Sequence, residues 1–312
     1  MKADVPARYA IARRDDMLVL DELHLARGGF QLAVCPALGG AITRFAFEGF
    51  DLLRPWDGSE QVRRTGCFVL APYSNRIAAG RFDFDGSAHH LRRNSADHAL
   101  PIHGVAWKRA WQLDEQGADH LLLSLTHEPS QDENAADWPF AFHLSQRLQL
   151  LDEGLALELR LHNRDSRPMP AGLGWHPYFP RHAGVELQFA AEAVWLADEQ
   201  QLPLRQTTIP ASWDFSQLRA VNEPGLDNNF VGWNGQAQLR WPAQRLSLAI
   251  EAGPGLQHLV VYTPSAAQGF IAVEPVSHAN GALGRGREGL EVLAPGQTLI
   301  RHCRLLVAPA AE

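Results

Sequence analysis

The chain has 312 residues, of which 46% are hydrophobic and 20% charged, with a formal net charge of −7, a composition of ordinary globular proteins rather than disordered or fibrous ones. An acidic balance without a stripe of Lys and Arg argues against a nucleic-acid partner. No uninterrupted apolar run approaches the roughly 20 residues of a membrane span, and Met1-Lys-Ala-Asp-Val-Pro-Ala-Arg-Tyr9 lacks a signal-peptide core, so no membrane partner and a cytoplasmic location are expected.

In chain order, the first strong period-2 pattern is Phe30-Gln-Leu-Ala-Val-Cys35, followed by a turn signal at Phe84-Asp-Gly86. The polar run Gln131–Asp137 reads as an exposed loop. Turn signals at Asp152-Glu-Gly154 and Asn163-Arg-Asp165 bracket an alternating Leu155–Leu161 segment. Further alternation marks Leu246–Ile250, Leu259–Tyr262 and Phe270–Val273, and Ala294-Pro-Gly296 signals a last turn. Short strands separated by Gly, Pro and Asp, with no regular strand–helix alternation, predict an all-β fold of two packed sheets. No linker or fixed repeat interrupts it, so one domain over residues 1–312 is expected.

Polar side chains gather beside Gly, Pro or aromatic residues at several places. Asn75-Arg76, ahead of Gly80, offers an amide and a guanidinium for vicinal hydroxyls or an anion; a turn Asn beside a surface Arg is the plainer reading. His103-Gly104 combines a ring nitrogen with a backbone that a ligand can approach closely, or is a satisfied turn histidine. In Gly172-Leu-Gly-Trp-His176-Pro-Tyr-Phe-Pro180 the aromatic neighbours hold His176 and favour its neutral form, which suits an acid–base group and equally a packed core histidine. Gly225-Leu-Asp227-Asn-Asn-Phe230 is a short acidic and amide cluster at what reads as a loop between strands, or simply a turn. In Ile271-Ala-Val-Glu274-Pro275 an apolar strand ends in a carboxylate, which needs either a partner or a chemical task.

Cys35, Cys67 and Cys303 lie far apart, without CxxC or His-rich spacing, and fit buried reduced thiols. Adjacent His89 and His90 point to opposite faces of any strand. Neither a metal nor a cofactor is expected, since no zinc, calcium, nucleotide-loop or nucleophile-elbow motif is present.

Taken in order, Asn75-Arg76-Ile77 with Gly80, His103-Gly104, His176-Pro-Tyr-Phe179, Asp227 with Phe230, and Glu274 resemble the motifs of the aldose 1-epimerase (galactose mutarotase) family over nearly the whole chain. The resemblance implies a large antiparallel β-sandwich, the galactose mutarotase-like supersandwich, and interconversion of α and β anomers of a free aldose. It implies Glu274 as general base toward the C1 hydroxyl, His176 as general acid toward the ring oxygen, and His103 supporting the acid. Asn75, Arg76 and Asp227 would bind the sugar hydroxyls, and Trp175, Trp107 or Trp233 would offer a platform for a sugar face.

Departures from the family pattern, Val105 after Gly104 and Pro-Val-Ser-His278 after Glu274, leave the preferred sugar open. A hexose-6-phosphate 1-epimerase is the alternative, with Arg63-Arg64, Arg76 or Arg92-Arg93 as cations; Ala106-Trp107 stands where that branch tends to carry an arginine, which favours a free monosaccharide. A non-catalytic sugar-binding protein on the same sandwich is the other alternative, and retention of both His176 and Glu274 speaks against it. His278 is expected at the pocket rim, and the oligomeric state is left open.

Overall fold

The computed structural model describes residues 20–310, apart from 132–133 and 223–224, together with the short strands Arg13–Arg14 and Met17–Leu18. The N-terminal stretch Met1–Tyr9, and Asp132 and Glu133 of the polar loop, lie outside the described residues.

Two large antiparallel sheets dominate. One has nine strands and runs, in spatial order, through Gln112–Gln116, His120–His127, Phe142–Leu150, Gly154–Asn163, Thr298–Pro309, Leu246–Ala252, Gln236–Trp241, Glu186–Phe189 and Arg219–Ala220. The other has eleven and carries His176 and Glu274; its middle order is Asp227–Val231, His258–Tyr262, Phe270–Val276, Gly174–Pro180, Cys67–Leu70 and Ala41–Phe47. Helical structure among the described residues is confined to short 3-10 turns, and no helix there is long and apolar enough to cross a membrane.

The alternating segments fall where the sequence puts them. Phe30–Cys35 is a strand with those bounds, and Leu155–Leu161 lies within Gly154–Asn163. At Asp85 and Gly86 the backbone turns with φ of 51° and 73°, the left-handed pair that closes a two-residue hairpin between Arg81–Phe84 and Ser87–His90.

Alternation divides the eleven-stranded sheet into two faces. Trp175, Phe179, Val261, Ile271 and Val273 point into the core shared with the nine-stranded sheet. Phe68, Tyr178, Val260, Phe270 and Ala272 point the other way and form a smaller cluster with Trp107. This outer face is roofed by loops rather than by a second sheet, and that is where His176 and Glu274 emerge. All three cysteines are buried and free.

Candidate active site

The floor of the site is set by strand register. Asp227 lies beside Tyr262, Tyr262 beside Ala272, and Ala272 beside Tyr178. One step along the same face, Val260 pairs with Glu274 and Phe68 with His176. The flanking pairs Gly174 with Val276 and Tyr178 with Ala272 bring His176 level with Glu274 across adjacent strands. Gly174 makes this approach possible, because a Cβ there would stand 2.7 Å from the Pro275 carbonyl oxygen. Pro177 and Pro275 supply no N–H, so the ladder is interrupted beside the pair and the two side chains meet across a gap in the backbone pairing.

His176 Nε2 is 3.1 Å from Glu274 Oε1. Phe68 stacks on the imidazole at 4.7 Å between centroids and Tyr178 flanks it at 4.5 Å, so the side chains that fix its rotamer lie on its own face of the sheet. Trp175 and Phe179, expected to do this, face the core. Two buried atoms of the pair have no hydrogen-bond partner, His176 Nδ1 and Glu274 Oε2. Burial depresses the imidazole to about 3, with the positive charge of Arg54 as the next cause. Burial, reinforced by the Asp227 charge, pushes the Glu274 carboxyl well above its ordinary range against the pull of Arg76. Each shift favours the uncharged form of its group, so the pair tends to hold one proton between its two members.

The loops add the remaining expected residues. The Asn75 N–H donates to His103 Nδ1 at 3.1 Å, and the His103 N–H returns a bond to the Asn75 carbonyl at 3.1 Å. A ring that accepts at Nδ1 carries its neutral-state proton on Nε2, and burial, followed by the neighbouring His176 and Arg76, keeps it neutral. Gly104 has φ of 69°, and a Cβ there would come within 2.0 Å of the Ala71 carbonyl oxygen; glycine alone lets this loop lie against residue 71. Arg76 is fixed by Asn75 Oδ1 at 3.3 Å and Asp227 Oδ2 at 3.4 Å. Burial raises the Asp227 carboxyl against the opposing charge of Arg76.

Asn75, Arg76, His103, His176, Asp227 and Glu274 line one cavity of about 280 Å³. Among the described residues, no group of three or more His, Cys, Asp or Glu is arranged to hold a metal ion.

Several expectations are corrected. None of Trp107, Trp175 and Trp233 lines this cavity; Trp107 donates from Nε1 to Ile102 O and Gly104 O, and Trp233 to Gln236 O. The aromatic walls are Tyr178, Tyr262 and Phe270. His278 is not at the rim but buried behind it, where Nε2 accepts from the Ser74 N–H at 3.0 Å and Nδ1–H donates to Ala279 O at 2.8 Å. Arg92 and Arg93 lie outside the cavity, Arg92 on Asp137 and Arg93 on the carbonyls of Ser95 and Ala96. Arg63 and Arg64 do reach it, together with His98 and Arg54. His98 and Arg54 went unread in the sequence because neither sits in a recognisable local pattern. Phe270 was legible, since it shares strand parity with Glu274.

Residues 21–305 match the family model described as Aldose 1-epimerase. An uncharacterized protein of Escherichia coli (strain K12), YphB, is 30% identical over 291 residues, covering 91% of this chain and 97% of the relative. A crystal structure of an Escherichia coli K12 protein provisionally described as an aldose 1-epimerase is 29% identical, with TM-score 0.86 over 93% of this chain and 99% of that one. A galactose mutarotase-like protein from Clostridium acetobutylicum, 18% identical with TM-score 0.81 over 92% of this chain and 94% of that one, shares the fold.

Proposed function

The chain belongs to the aldose 1-epimerase family, and from that premise we propose that it is an isomerase interconverting the α and β anomers of a monosaccharide with a free C1 hydroxyl. The observation that carries this reading is the contact of His176 with Glu274 at 3.1 Å, each with an unpartnered buried atom, on the wall of a cavity of about 280 Å³. That volume is near the ~300 Å³ lower end of small-molecule clefts and suits one sugar ring. The C1 hydroxyl oxygen and the ring oxygen are bonded to the same carbon. An acid and a base serving both must therefore be close neighbours, as these two are.

In ring opening, ionised Glu274 takes the C1 hydroxyl proton while protonated His176 delivers one to the ring oxygen. The C1–ring-oxygen bond breaks and C1 becomes a carbonyl carbon. Glu274 is then neutral acid and His176 neutral imidazole, so the pair still carries the same number of protons. Rotation about C1–C2 presents the other carbonyl face, and closure runs the transfers in reverse. The reaction thus shuttles the pair between its two one-proton forms and needs no proton from bulk water. Desolvation favours the uncharged form, which accompanies the open chain; the charged form faces the closed sugar, whose hydroxyl and ring oxygen hydrogen-bond it.

His103, with Nε2–H available, would donate beside the ring oxygen, while Asn75, Arg76 and Asp227 would hold hydroxyls. The proposed chemistry uses neither metal nor cofactor. We also take the chain as one domain, supported by the core common to both large sheets, and its place of action as the cytoplasm.

The test is optical rotation of freshly dissolved α-D-galactose, α-D-glucose and α-L-arabinose with and without protein at neutral pH. Acceleration over buffer that survives a chelator is expected. If no reducing sugar, neutral or charged, is accelerated although one binds, the chain is a sugar-binding protein.

A further inference from the structure

The cavity is cationic in a protein whose net charge is −7. Arg54, Arg63, Arg64 and Arg76 line it, against the carboxylates of Asp97, Asp227 and Glu274. Arg76 is matched by Asp227 at 3.4 Å, and Arg63 by Asp97. The other two are not matched in this way. Arg64 reaches only Asp57, at 3.9 Å, with 59% of its side chain exposed. Arg54 forms no ion pair with any carboxylate among the described residues. Its hydrogen bonds go to the Thr65 and Arg63 carbonyls, and its guanidinium lies 3.9 Å from the Tyr178 ring centroid and 4.4 Å from that of Phe270.

Carbonyls engage Nε and Nη2 of Arg54 and rings cover its flat face, but none of these partners carries a full negative charge, an arrangement that in a partly desolvated wall favours an incoming anion. Position narrows what that anion is. Tyr178 is the neighbour of His176 on this face, with ring centroids 4.5 Å apart, and Phe270 lies four residues before Glu274 on the adjoining strand, so a guanidinium held against both Tyr178 and Phe270 sits beyond the proton-transfer pair, toward the far end of the floor. We propose that Arg54, assisted by Arg64, binds an anionic group, a carboxylate or phosphate, on the carbon of the aldose farthest from C1. This deepens the epimerase reading and rests on it. The alternative set aside in the sequence for want of an arginine near Trp107 returns here through different residues. An anion at this pole would also offset the charge that opposes protonation of His176, so the ionic substrate gains in turnover as well as in binding.

Anomerisation of D-glucuronate and D-glucose 6-phosphate is compared with that of D-glucose by NMR exchange, at low and at 0.5 M salt. The expected kcat/KM is at least tenfold higher for one of the anionic sugars, and salt lowers that advantage; which of the two gains separates carboxylate from phosphate. Arg64→Gln and Arg54→Gln should shrink the ratio severalfold, and Arg54→Lys should restore part of what Arg54→Gln loses. Arg64 is exposed, so its variant remains informative if Arg54→Gln does not fold. A wild-type ratio of one or below, or a ratio unmoved by Arg64→Gln and by any folded Arg54 variant, removes the anionic pole and leaves the epimerase standing. If none of the three sugars reacts, the epimerase reading fails for them, and calorimetric titration with the same sugars decides the pole alone: tighter binding of an anionic one supports it, equal binding or none overturns it.

Discussion

Asn75 and His103 hold each other by a reciprocal pair of hydrogen bonds, backbone N–H to ring Nδ1 and backbone N–H to carbonyl, each 3.1 Å, and both residues have left-handed φ, 60° and 61°. The imidazole is therefore oriented by the loop that carries the amide. His103→Ala removes the Nε2 donor and releases Asn75 together. Both kcat and KM should suffer, with kcat/KM falling on the order of 10²-fold. Mutarotation kinetics beside a thermal melt check this, and a change in stability alone would take His103 out of the substrate site.

Glu274→Gln keeps the shape of the carboxyl but cannot take a proton. Turnover should drop by about 10²- to 10⁴-fold with folding retained, because the buried site already favours the uncharged carboxyl. His176→Gln should cost a similar amount. The double variant should be hardly slower than either single one, since the residues act as a unit. Multiplicative losses would mean that they act in separate steps. The active pair holds one proton, so the alkaline limb of the rate profile should follow the raised Glu274 and lie above the ordinary carboxylate value of about 4.3, while the acid limb follows the depressed His176.

Acid should destabilise the protein through its buried histidines. An imidazole in the unfolded chain takes its proton near 6.5, whereas His176 is depressed to about 3 and His258 and His278 to about 4, each chiefly by burial. Between those values the unfolded chain binds more protons, so stability rises with pH, is complete above about 6.5 and is lost as pH falls. Each such group contributes about 1.4 kcal/mol per pH unit across its window. Glu274, shifted upward, has the opposite sign: its contribution is present below about 4.3 and is lost as pH rises. Three imidazoles outweigh one carboxyl in this range, so the melting temperature should fall steeply between about pH 6 and 4. A melting temperature unchanged to pH 4 would contradict the burial of these rings as uncharged groups.

What the sequence made legible follows from where the information lies. Strand alternation and turn residues are local, and they located Phe30–Cys35 and the Asp85-Gly86 turn. Glu274 and His176 stood out because a carboxylate and an imidazole interrupt apolar strands. Their mutual facing was not local, since it depends on the register fixed by Gly174 with Val276. Arg54 was hidden for the same reason: it belongs to a plain Leu-Leu-Arg-Pro segment, and only the backbone bond from its N–H to Tyr178 O, 2.8 Å long, brings it to the site. The tryptophans misled because size and aromaticity suit both a platform and a core, and strand parity sends Trp175 to the core.

His278 offers the sharpest separation of support from chemistry. Both ring nitrogens are engaged by backbone, Ser74 N–H on one side and Ala279 O on the other, and Ser74 leads directly into Asn75 and Arg76. Gly172 leaves room for the ring, since a Cβ there would stand 2.1 Å from His278 Cδ2. His278→Ala leaves a buried donor and a buried acceptor without partners, at about 1–3 kcal/mol each, and loosens the loop that carries Asn75 and Arg76, the residues proposed to hold sugar hydroxyls. The proton-transfer pair itself is untouched. The expected result is a marked fall in melting temperature and a KM raised about tenfold, equivalent to some 1.4 kcal/mol, with kcat largely kept. His278→Gln, whose amide can accept from one group and donate to the other, should recover part of both. A collapse of kcat at unchanged KM would instead make His278 part of the chemistry.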